Sequence, residues 1–160
     1  MKTIIFVRHA KSSWTDFRLS DFDRPLDERG VMDAPVMALK LKSAGVHPDL
    51  IISSPANRAL TTANIFAEQF GCPVITDKDL YHGFPENYLN ALQNTASDIQ
   101  TVALFGHNPG LTVLTNIIHP EGIDNLPTCG VVVAKVLGDK KWDDVTFDDL
   151  QFVTMLYPKM

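Results

Sequence analysis

Residues 3–9 of the chain read TIIFVRH, and this stretch decides the fold class. Its first five residues are β-branched or aromatic and include no charged side chain, a pattern typical of a strand covered on both faces. The run stops at Arg8 and His9, whose side chains do not suit a strand interior. Ligands of open parallel sheets bind beyond the carboxyl ends of the strands. The stretch therefore predicts a buried parallel strand that ends at a binding site.

Short apolar runs alternate with amphipathic segments along the rest of the chain, which indicates βα units. Strands are predicted at residues 3–7, 50–53, 74–76, 101–105, 131–137 and 151–156, and helices at residues 29–44, 55–70, 86–95 and 108–119. Ser54 and Pro55 supply a cap and a first helical residue for the second of these helices. Residues 138–149 are polar and acidic and are predicted to form a surface connection. The predicted fold is α/β, three layers α/β/α with a mostly parallel central sheet, in which only the last two strands pair as antiparallel neighbours.

Length and composition fit one domain over residues 1–160, since the chain has 160 residues and is 45% hydrophobic. The formal net charge is −5, and no run of basic residues exceeds Lys140-Lys141, so no nucleic-acid partner is expected. No apolar run approaches the roughly 20 residues needed to cross a bilayer, so no membrane partner and a cytoplasmic location are expected. Cys72 and Cys129 lack metal-ligand spacing and are expected to be reduced core thiols.

Polar residues follow three of the predicted strands at the points where these strands end. They are Arg8 and His9 after the first strand, Ser53, Ser54 and Arg58 after the second, and His107 and Asn108 after the fourth. These side chains are expected to converge at one edge of the sheet. Two arginines and two histidines suit a tetrahedral dianion, because a guanidinium binds two phosphate oxygens and a histidine can donate to a third. An imidazole with the usual pKa of about 6.5 is largely neutral at pH 7, so His9 is a candidate nucleophile.

Five segments in a fixed order carry a resemblance to a known family. They are VRHA at residues 7–10, FDRPLDERG at 22–30, SSPANRALTTA at 53–63, FGHNPGL at 105–111 and LPTCGVVVAKV at 126–136. Together they resemble the histidine phosphatase superfamily, and most closely its small SixA-like phosphohistidine phosphatases. The resemblance covers essentially the whole chain and implies a phosphoglycerate mutase-like fold.

The resemblance also implies roles for individual residues. His9 would be the nucleophile that becomes phosphorylated, Arg8 and Arg58 would hold the phosphoryl oxygens, and His107 would stabilise the transferring group. Asn108, next to His107, is a further candidate phosphate contact. No metal and no cofactor is implied, and the expected substrate is a phosphorylated protein or a small phosphate compound. The glycine of the first signature is replaced by Ala10, which requires the backbone there to avoid positive φ.

A second departure from the family bears on the substrate. Many members carry a glutamate acid in a Leu-x-Glu segment after the third strand, where this chain reads Leu80-Tyr81-His82. Hydrolysis of a phosphate ester depends on a general acid, commonly worth about 10² to 10⁴ in rate. The imidazole that leaves phosphohistidine can be protonated on its own second nitrogen. The missing carboxylic acid therefore predicts a preference for a phosphorus–nitrogen bond, with His82 or Glu86 as candidate acids for esters.

Three functions remain open from the sequence. The favoured one is a metal-independent phosphohydrolase acting on phosphohistidine in a protein. The alternatives are a broad small-molecule phosphomonoesterase and a phosphate- or phosphoprotein-binding module with little turnover. Turnover of an activated aryl phosphate distinguishes the enzymes from the module, because such a leaving group needs little acid assistance. The sequence does not determine the oligomeric state.

Overall fold

The computed structural model describes residues 1–159, which form six strands and four α-helices. In chain order the elements are β1 Thr3–Arg8, α1 Glu28–Ser43, β2 Leu50–Ser53, α2 Asn57–Phe70, β3 Val74–Thr76, α3 Pro85–Gln93, β4 Thr101–Gly106, α4 Gly110–Ile118, β5 Val131–Val136 and β6 Leu150–Leu156. Short 3₁₀ turns occur at Asp21–Asp23, Lys78–Leu80, Trp142–Asp144 and Phe147–Asp149. No helix among residues 1–159 combines the length and the apolarity that crossing a membrane requires.

One mixed sheet in the order β3-β2-β4-β1-β5-β6 forms the centre of the molecule. The strands β3, β2, β4 and β1 are parallel to one another, whereas β5 is antiparallel to both β1 and β6. The prediction that only the last two strands pair in antiparallel fashion is therefore wrong for the β1–β5 pair. The reason is the path of the chain just before β5. The Arg8 amide donates to the Gly130 carbonyl, so the chain already lies beside the end of β1 when β5 begins, and β5 then runs back along β1.

Two apolar layers separate the sheet from the helices. Ile4 and Phe6 of β1 belong to the layer that contains residues of α3 and α4. Their neighbours Ile5 and Val7 point to the other face, into the layer that contains residues of α1 and α2. This alternation is what an all-buried strand requires, because successive side chains of a strand point to opposite faces. The three-layer α/β/α architecture predicted from the sequence is confirmed.

Two local predictions need correction. The second helix begins at Asn57 and not at Pro55. Its N-cap residue is Ala56, which makes no side-chain cap, and the Ser54 hydroxyl accepts from the Ala56 amide at 3.2 Å and lies 2.8 Å from His107 Nε2. The segment 138–149 is more than a surface connection. Trp142 within it is only 2% exposed and donates from its indole nitrogen to the Ile99 carbonyl at 2.8 Å, so this segment closes one side of the core.

The end of β4 is fixed by a close contact with α3. Any side chain at Gly106 would collide with the hydroxyl of Tyr88. The same hydroxyl accepts from the backbone amide of His107 at 3.2 Å. Because Arg8 pairs with Gly106 in the parallel β1–β4 register, the residues that follow both strands emerge side by side. The fold thus brings together the polar strand ends that the sequence singled out.

Candidate active site

A cavity of about 340 Å³ lies at the carboxyl ends of the parallel strands. It is lined by Arg8, His9, Lys11, Ser12, Trp14, Asp21, Arg24, Arg58, His82, His107, Asn108 and Thr128. The predicted residues Arg8, His9, Arg58, His82, His107 and Asn108 are among them, whereas Ser53, Ser54 and Glu86 are not. Glu86 does not line the cavity and is exposed in the first turn of α3. No group of three or more His, Cys, Asp or Glu side chains within residues 1–159 is arranged to hold a metal ion.

His9 is held in one defined protonation form. Its Nδ1 lies 2.7 Å from the carbonyl oxygen of Ala10. Since a carbonyl only accepts hydrogen bonds, Nδ1 carries the proton, and the Nε2 lone pair of the neutral ring is left free. Burial, together with the nearby Arg58 and Arg8 charges, outweighs this hydrogen bond and lowers the pKa of His9 to about 4. The ring is therefore neutral at pH 7, with a free nitrogen in a cavity lined by cationic side chains.

The backbone around His9 is fastened from several sides. The His9 amide donates to the Gly106 carbonyl at 3.1 Å, and the His9 carbonyl accepts from the amide of Cys129, whose side chain is buried, at 2.9 Å. The Ala10 amide donates to the Thr62 hydroxyl at 3.0 Å, which in turn donates to the Arg58 carbonyl at 2.8 Å. Ala10 is not among the residues with positive φ, so alanine replaces glycine there without backbone strain.

His107 belongs to the same cavity but is bonded in the opposite way. Its Nε2 lies 2.8 Å from the Ser54 hydroxyl, whereas its Nδ1 is buried and has no hydrogen-bond partner among residues 1–159. Burial, followed by the nearby His9 and Arg58, lowers the pKa of His107 to about 3. The centres of the His9 and His107 rings are 5.2 Å apart. Arg8 Nε is also buried and has no hydrogen-bond partner among residues 1–159.

Two guanidinium groups and a tyrosine hydroxyl surround a carboxylate, Asp21, that was not predicted from sequence. Asp21 accepts from Arg58 at 3.0 Å, from Arg24 at 3.0 Å and from the Tyr81 hydroxyl at 2.7 Å. Arg58 also donates to the Asp21 carbonyl at 2.7 Å. Partial burial alone would raise the pKa of Asp21, but the bonds from Tyr81 and Arg58 and the arginine charges lower it to about 2. The ionised carboxylate thus fixes two like-charged arginines next to each other.

The remaining predicted residues differ in how free their side chains are. The Asn108 amide oxygen accepts from the Thr112 amide and hydroxyl, and its nitrogen donates to Asn125 and to the Leu126 carbonyl. This side chain therefore ties the start of α4 to the loop before β5. The His82 ring packs against Tyr81 with centroids 4.0 Å apart and an angle of 33° between the ring planes, and its backbone adopts φ of +57°. Positive φ at a residue other than glycine is uncommon and concentrates at functional positions.

Comparison with known proteins agrees with this geometry. The family model of the histidine phosphatase superfamily (branch 1) matches residues 4–82. A chloroplastic protein of Arabidopsis thaliana is 32% identical over 157 residues, which covers 89% of this chain and 70% of that protein. The crystal structure of an Agrobacterium tumefaciens protein assigned as phosphohistidine phosphatase SixA superposes with a TM-score of 0.83 at 26% identity, over 98% of each chain.

A second solved structure, of the protein histidine phosphatase SixA complexed with tungstate, shares the fold. Its TM-score is 0.81 at 19% identity, over 98% of this chain and 97% of that chain. The whole three-layer architecture is therefore common to these proteins, and the family model covers the strand end that carries Arg8 and His9 as well as the segment that carries Arg58. On these findings the chain belongs to the histidine phosphatase superfamily and to its SixA-like group, and this membership supports a phosphatase activity.

Proposed function

We propose that this chain is a metal-independent phosphohydrolase that removes a phosphoryl group from phosphohistidine in a protein, through a covalent intermediate on His9. One observation carries the proposal. The Nδ1–H of His9 is committed to the Ala10 carbonyl, so that Nε2 offers its lone pair without a separate base. The similarity to a SixA-assigned phosphohistidine phosphatase supports the same chemistry.

The cavity offers donors suited to a phosphoryl group. Arg8 Nε and His107 Nδ1 are buried without partners, a state that costs free energy unless a ligand satisfies them. Arg58 is already oriented by Asp21 through two of its nitrogens, and its further N–H groups remain for substrate oxygens. Preorganised donors of this kind stabilise the charge that spreads over the phosphoryl oxygens in the transition state.

The two steps of the reaction balance without an external base. The Nε2 lone pair of His9 forms a bond to phosphorus while the bond between phosphorus and the substrate imidazole breaks. The bonding electrons stay on the substrate nitrogen, and the proton on the other nitrogen of that ring makes the leaving group a neutral imidazole. A water molecule then attacks the phosphorus on His9. Orthophosphate leaves as the dihydrogen anion, and His9 returns to its neutral form with the proton on Nδ1.

The lack of a suitable acid supports a phosphorus–nitrogen substrate. Asp21 lines the cavity, but its pKa of about 2 leaves it ionised at neutral pH and unable to donate a proton. Glu86 lies outside the cavity lining. An alkoxide leaving group depends on such an acid, whereas a protonated imidazole does not. A second candidate function, ester hydrolysis with His82 as the acid, rests on the position of His82 in the cavity wall.

The site is also open to a large substrate. Only residues 77–84 connect β3 to α3, and a connection of this length has no room for an independent capping domain. Trp14 lines the cavity and is 73% exposed, and Arg24 stacks against its ring. A phosphorylated side chain on a folded protein can therefore approach the pocket from solvent.

The proposal is tested by phosphate release from a phosphohistidine peptide, a sugar phosphate and an aryl phosphate, with a chelator present throughout. The wild type is compared with His9→Ala and with the control His47→Ala, which alters an exposed histidine outside the cavity. Chelator-resistant release from the peptide that His9→Ala abolishes and His47→Ala retains is the expected result. Comparable kcat/KM values on the sugar phosphate and the peptide would contradict the preference for a phosphorus–nitrogen bond. No release from any of the three substrates would favour a binding module over an enzyme.

A further inference from the structure

Ser54 links the end of β2 to His107 at the end of β4. The Ser54 side chain is fully buried, and its backbone amide donates to the Phe105 carbonyl at 2.9 Å. This bond places the Ser54 hydroxyl beside the histidine that follows β4, with 2.8 Å between Oγ and Nε2. Ser54 takes no part in the proposed reaction steps. Its hydroxyl nevertheless makes the one hydrogen bond recorded for the His107 ring within residues 1–159.

The direction of this hydrogen bond follows from an inventory of protons. The Ala56 amide can only donate, so Ser54 Oγ is the acceptor in their 3.2 Å contact. The hydroxyl has one proton, and Nε2 is the one other partner of Oγ within residues 1–159. If Nε2 were the donor, the buried hydroxyl proton and the Nδ1 lone pair would both lack a partner, whereas the opposite direction leaves only the Nδ1–H unpaired. Each unpaired buried group costs about 1 to 3 kcal/mol. The hydroxyl therefore donates to Nε2, and the neutral His107 ring carries its proton on Nδ1.

We infer that Ser54 is a positioning residue that sets the tautomer of His107, so that the Nδ1–H, which has no partner in the protein, donates to a phosphoryl oxygen of the substrate. This inference rests on the proposed function for the identity of the ligand. It goes beyond that function in assigning which His107 nitrogen acts and which residue makes it act. The alternative tautomer would turn Nδ1 into an acceptor, which repels a phosphoryl oxygen.

The matched control lies one residue earlier in the chain. Ser53 is also fully buried, but its hydroxyl donates to the Ser54 carbonyl at 2.8 Å and does not contact a histidine. Ser53→Ala therefore removes a buried serine hydroxyl from the same strand end without touching the His107 ring. If Ser54 only supports the local fold, the two substitutions have similar effects.

The first test reads the tautomer directly by ¹⁵N NMR of the histidine rings in the full-length wild type and in Ser54→Ala and Ser53→Ala. We expect His107 to be protonated on Nδ1 in the wild type and in Ser53→Ala, and to gain the Nε2–H form in Ser54→Ala. We also expect tungstate, used as a tetrahedral oxyanion probe, to shift the Nδ1–H resonance of the wild type. Protonation of Nε2 in the wild type, or a tungstate complex without this shift, would overturn the inference even if the protein has no turnover.

The second test is kinetic and uses the aryl phosphate as well as the phosphohistidine peptide. Loss of a correctly directed donor should lower kcat by about 10- to 100-fold in Ser54→Ala, somewhat less than complete removal of an oxyanion donor. Ser53→Ala should stay within about 3-fold of the wild type, the scatter expected from a structural change alone. If Ser54→Ala does not fold, Ser54→Cys replaces it, because a thiol is a weaker donor of nearly the same shape. Equal losses in the Ser53 and Ser54 variants, with an unchanged tautomer, would show a structural role and overturn the inference.

Discussion

His9 and His107 follow adjacent parallel strands, are buried in one cavity and are both neutral at pH 7, yet they present opposite nitrogens for chemistry. His9 faces a carbonyl acceptor through Nδ1, which leaves the Nε2 lone pair free. His107 faces a serine hydroxyl through Nε2, which leaves the Nδ1–H free. We infer that the two rings have the same tautomer. In the proposed function, the position of one neighbour makes the first ring a nucleophile and the second a donor. In this proposal, the hydrogen bond that each ring makes determines which nitrogen is free to act.

The largest effect is expected from loss of the nucleophile. His9→Gln keeps a polar side chain of similar length but removes the nitrogen lone pair, so turnover should fall by at least about 10⁴-fold. A phosphorus-labelled substrate, quenched under alkaline conditions that preserve phosphohistidine, should label the wild type and His47→Ala but not His9→Gln. Labelled His9→Gln protein would place the covalent intermediate on another residue and contradict the assigned roles.

Loss of the His107 side chain should lower turnover less than loss of His9 and should slow the formation of the intermediate without preventing it. His107→Gln removes the group that we propose stabilises the transferring phosphoryl group, so we expect kcat to fall by about 10² to 10³-fold. Because His9 is intact, this variant should still form the labelled intermediate, only more slowly. Single-turnover measurements separate the two variants. Failure of His107→Gln to label at all under prolonged incubation would show that the two histidines do not have separate functions.

The neutral state of both rings should make the fold sensitive to acid. Above pH 6.5 the rings are neutral in both folded and unfolded chains and contribute no pH dependence. Below pH 6.5 the unfolded chain binds protons at both histidines, whereas the folded chain binds them only near pH 4 at His9 and near pH 3 at His107. The free energy of unfolding therefore decreases as the pH is lowered. His9 alone should account for about 2 kcal/mol of unfolding free energy between about pH 7 and about pH 5.

Urea unfolding at these two pH values measures this effect. His9→Gln should lose less stability than the wild type on acidification, by the share assigned to His9. His47→Ala serves as the control and should follow the wild type, since His47 is exposed. The same acid sensitivity in His9→Gln and in the wild type would mean that the His9 ring is protonated as readily when folded as when unfolded.

The smallest effect concerns His82, a third histidine in the cavity wall, whose ring packs against Tyr81. His82→Asn tolerates the positive φ at this position and removes the imidazole. We expect about a 10-fold loss on a sugar phosphate, which is less than the usual general-acid effect of about 10² to 10⁴, and less than about a 3-fold change on a phosphohistidine peptide. Equal losses on both substrates would remove His82 as an acid specific to esters.

Much of the fold and the centre of the site can be predicted from sequence because they depend on local patterns. The strand ends at Arg8, Ser53 and Gly106 are marked by abrupt changes from apolar to polar residues, and parallel pairing brings such ends together. The direction of β5 is not marked in this way. Its buried run of valines has the same pattern in a parallel and an antiparallel strand, and the turn at residues 126–130 decides between them.

The outer residues of the site were harder to predict for a related reason. Asp21, Arg24 and Tyr81 lie in connections without helical or strand periodicity, and only tertiary contacts bring Tyr81 to Asp21. Arg24 lies within FDRPLDERG, a segment that the family resemblance had already marked, so its motif was the available signal. Ser54 was predicted as a helix cap because Ser-Pro is a common helix start. A cap and a histidine partner use the same hydroxyl, and sequence alone cannot distinguish the two.

The amide that holds the His9 carbonyl belongs to a cysteine, and this has a consequence for how the site withstands oxidants. Burial, with a contribution from Asp33, raises the pKa of the Cys129 thiol to about 12, and burial also raises the pKa of Cys72. Peroxide reacts with thiolates, and neither cysteine of the chain is poised to form one. In the proposed function, imidazole and guanidinium groups replace the reactive thiol of cysteine-dependent phosphatases. A peroxide pulse that silences such enzymes should leave this pocket chemically intact.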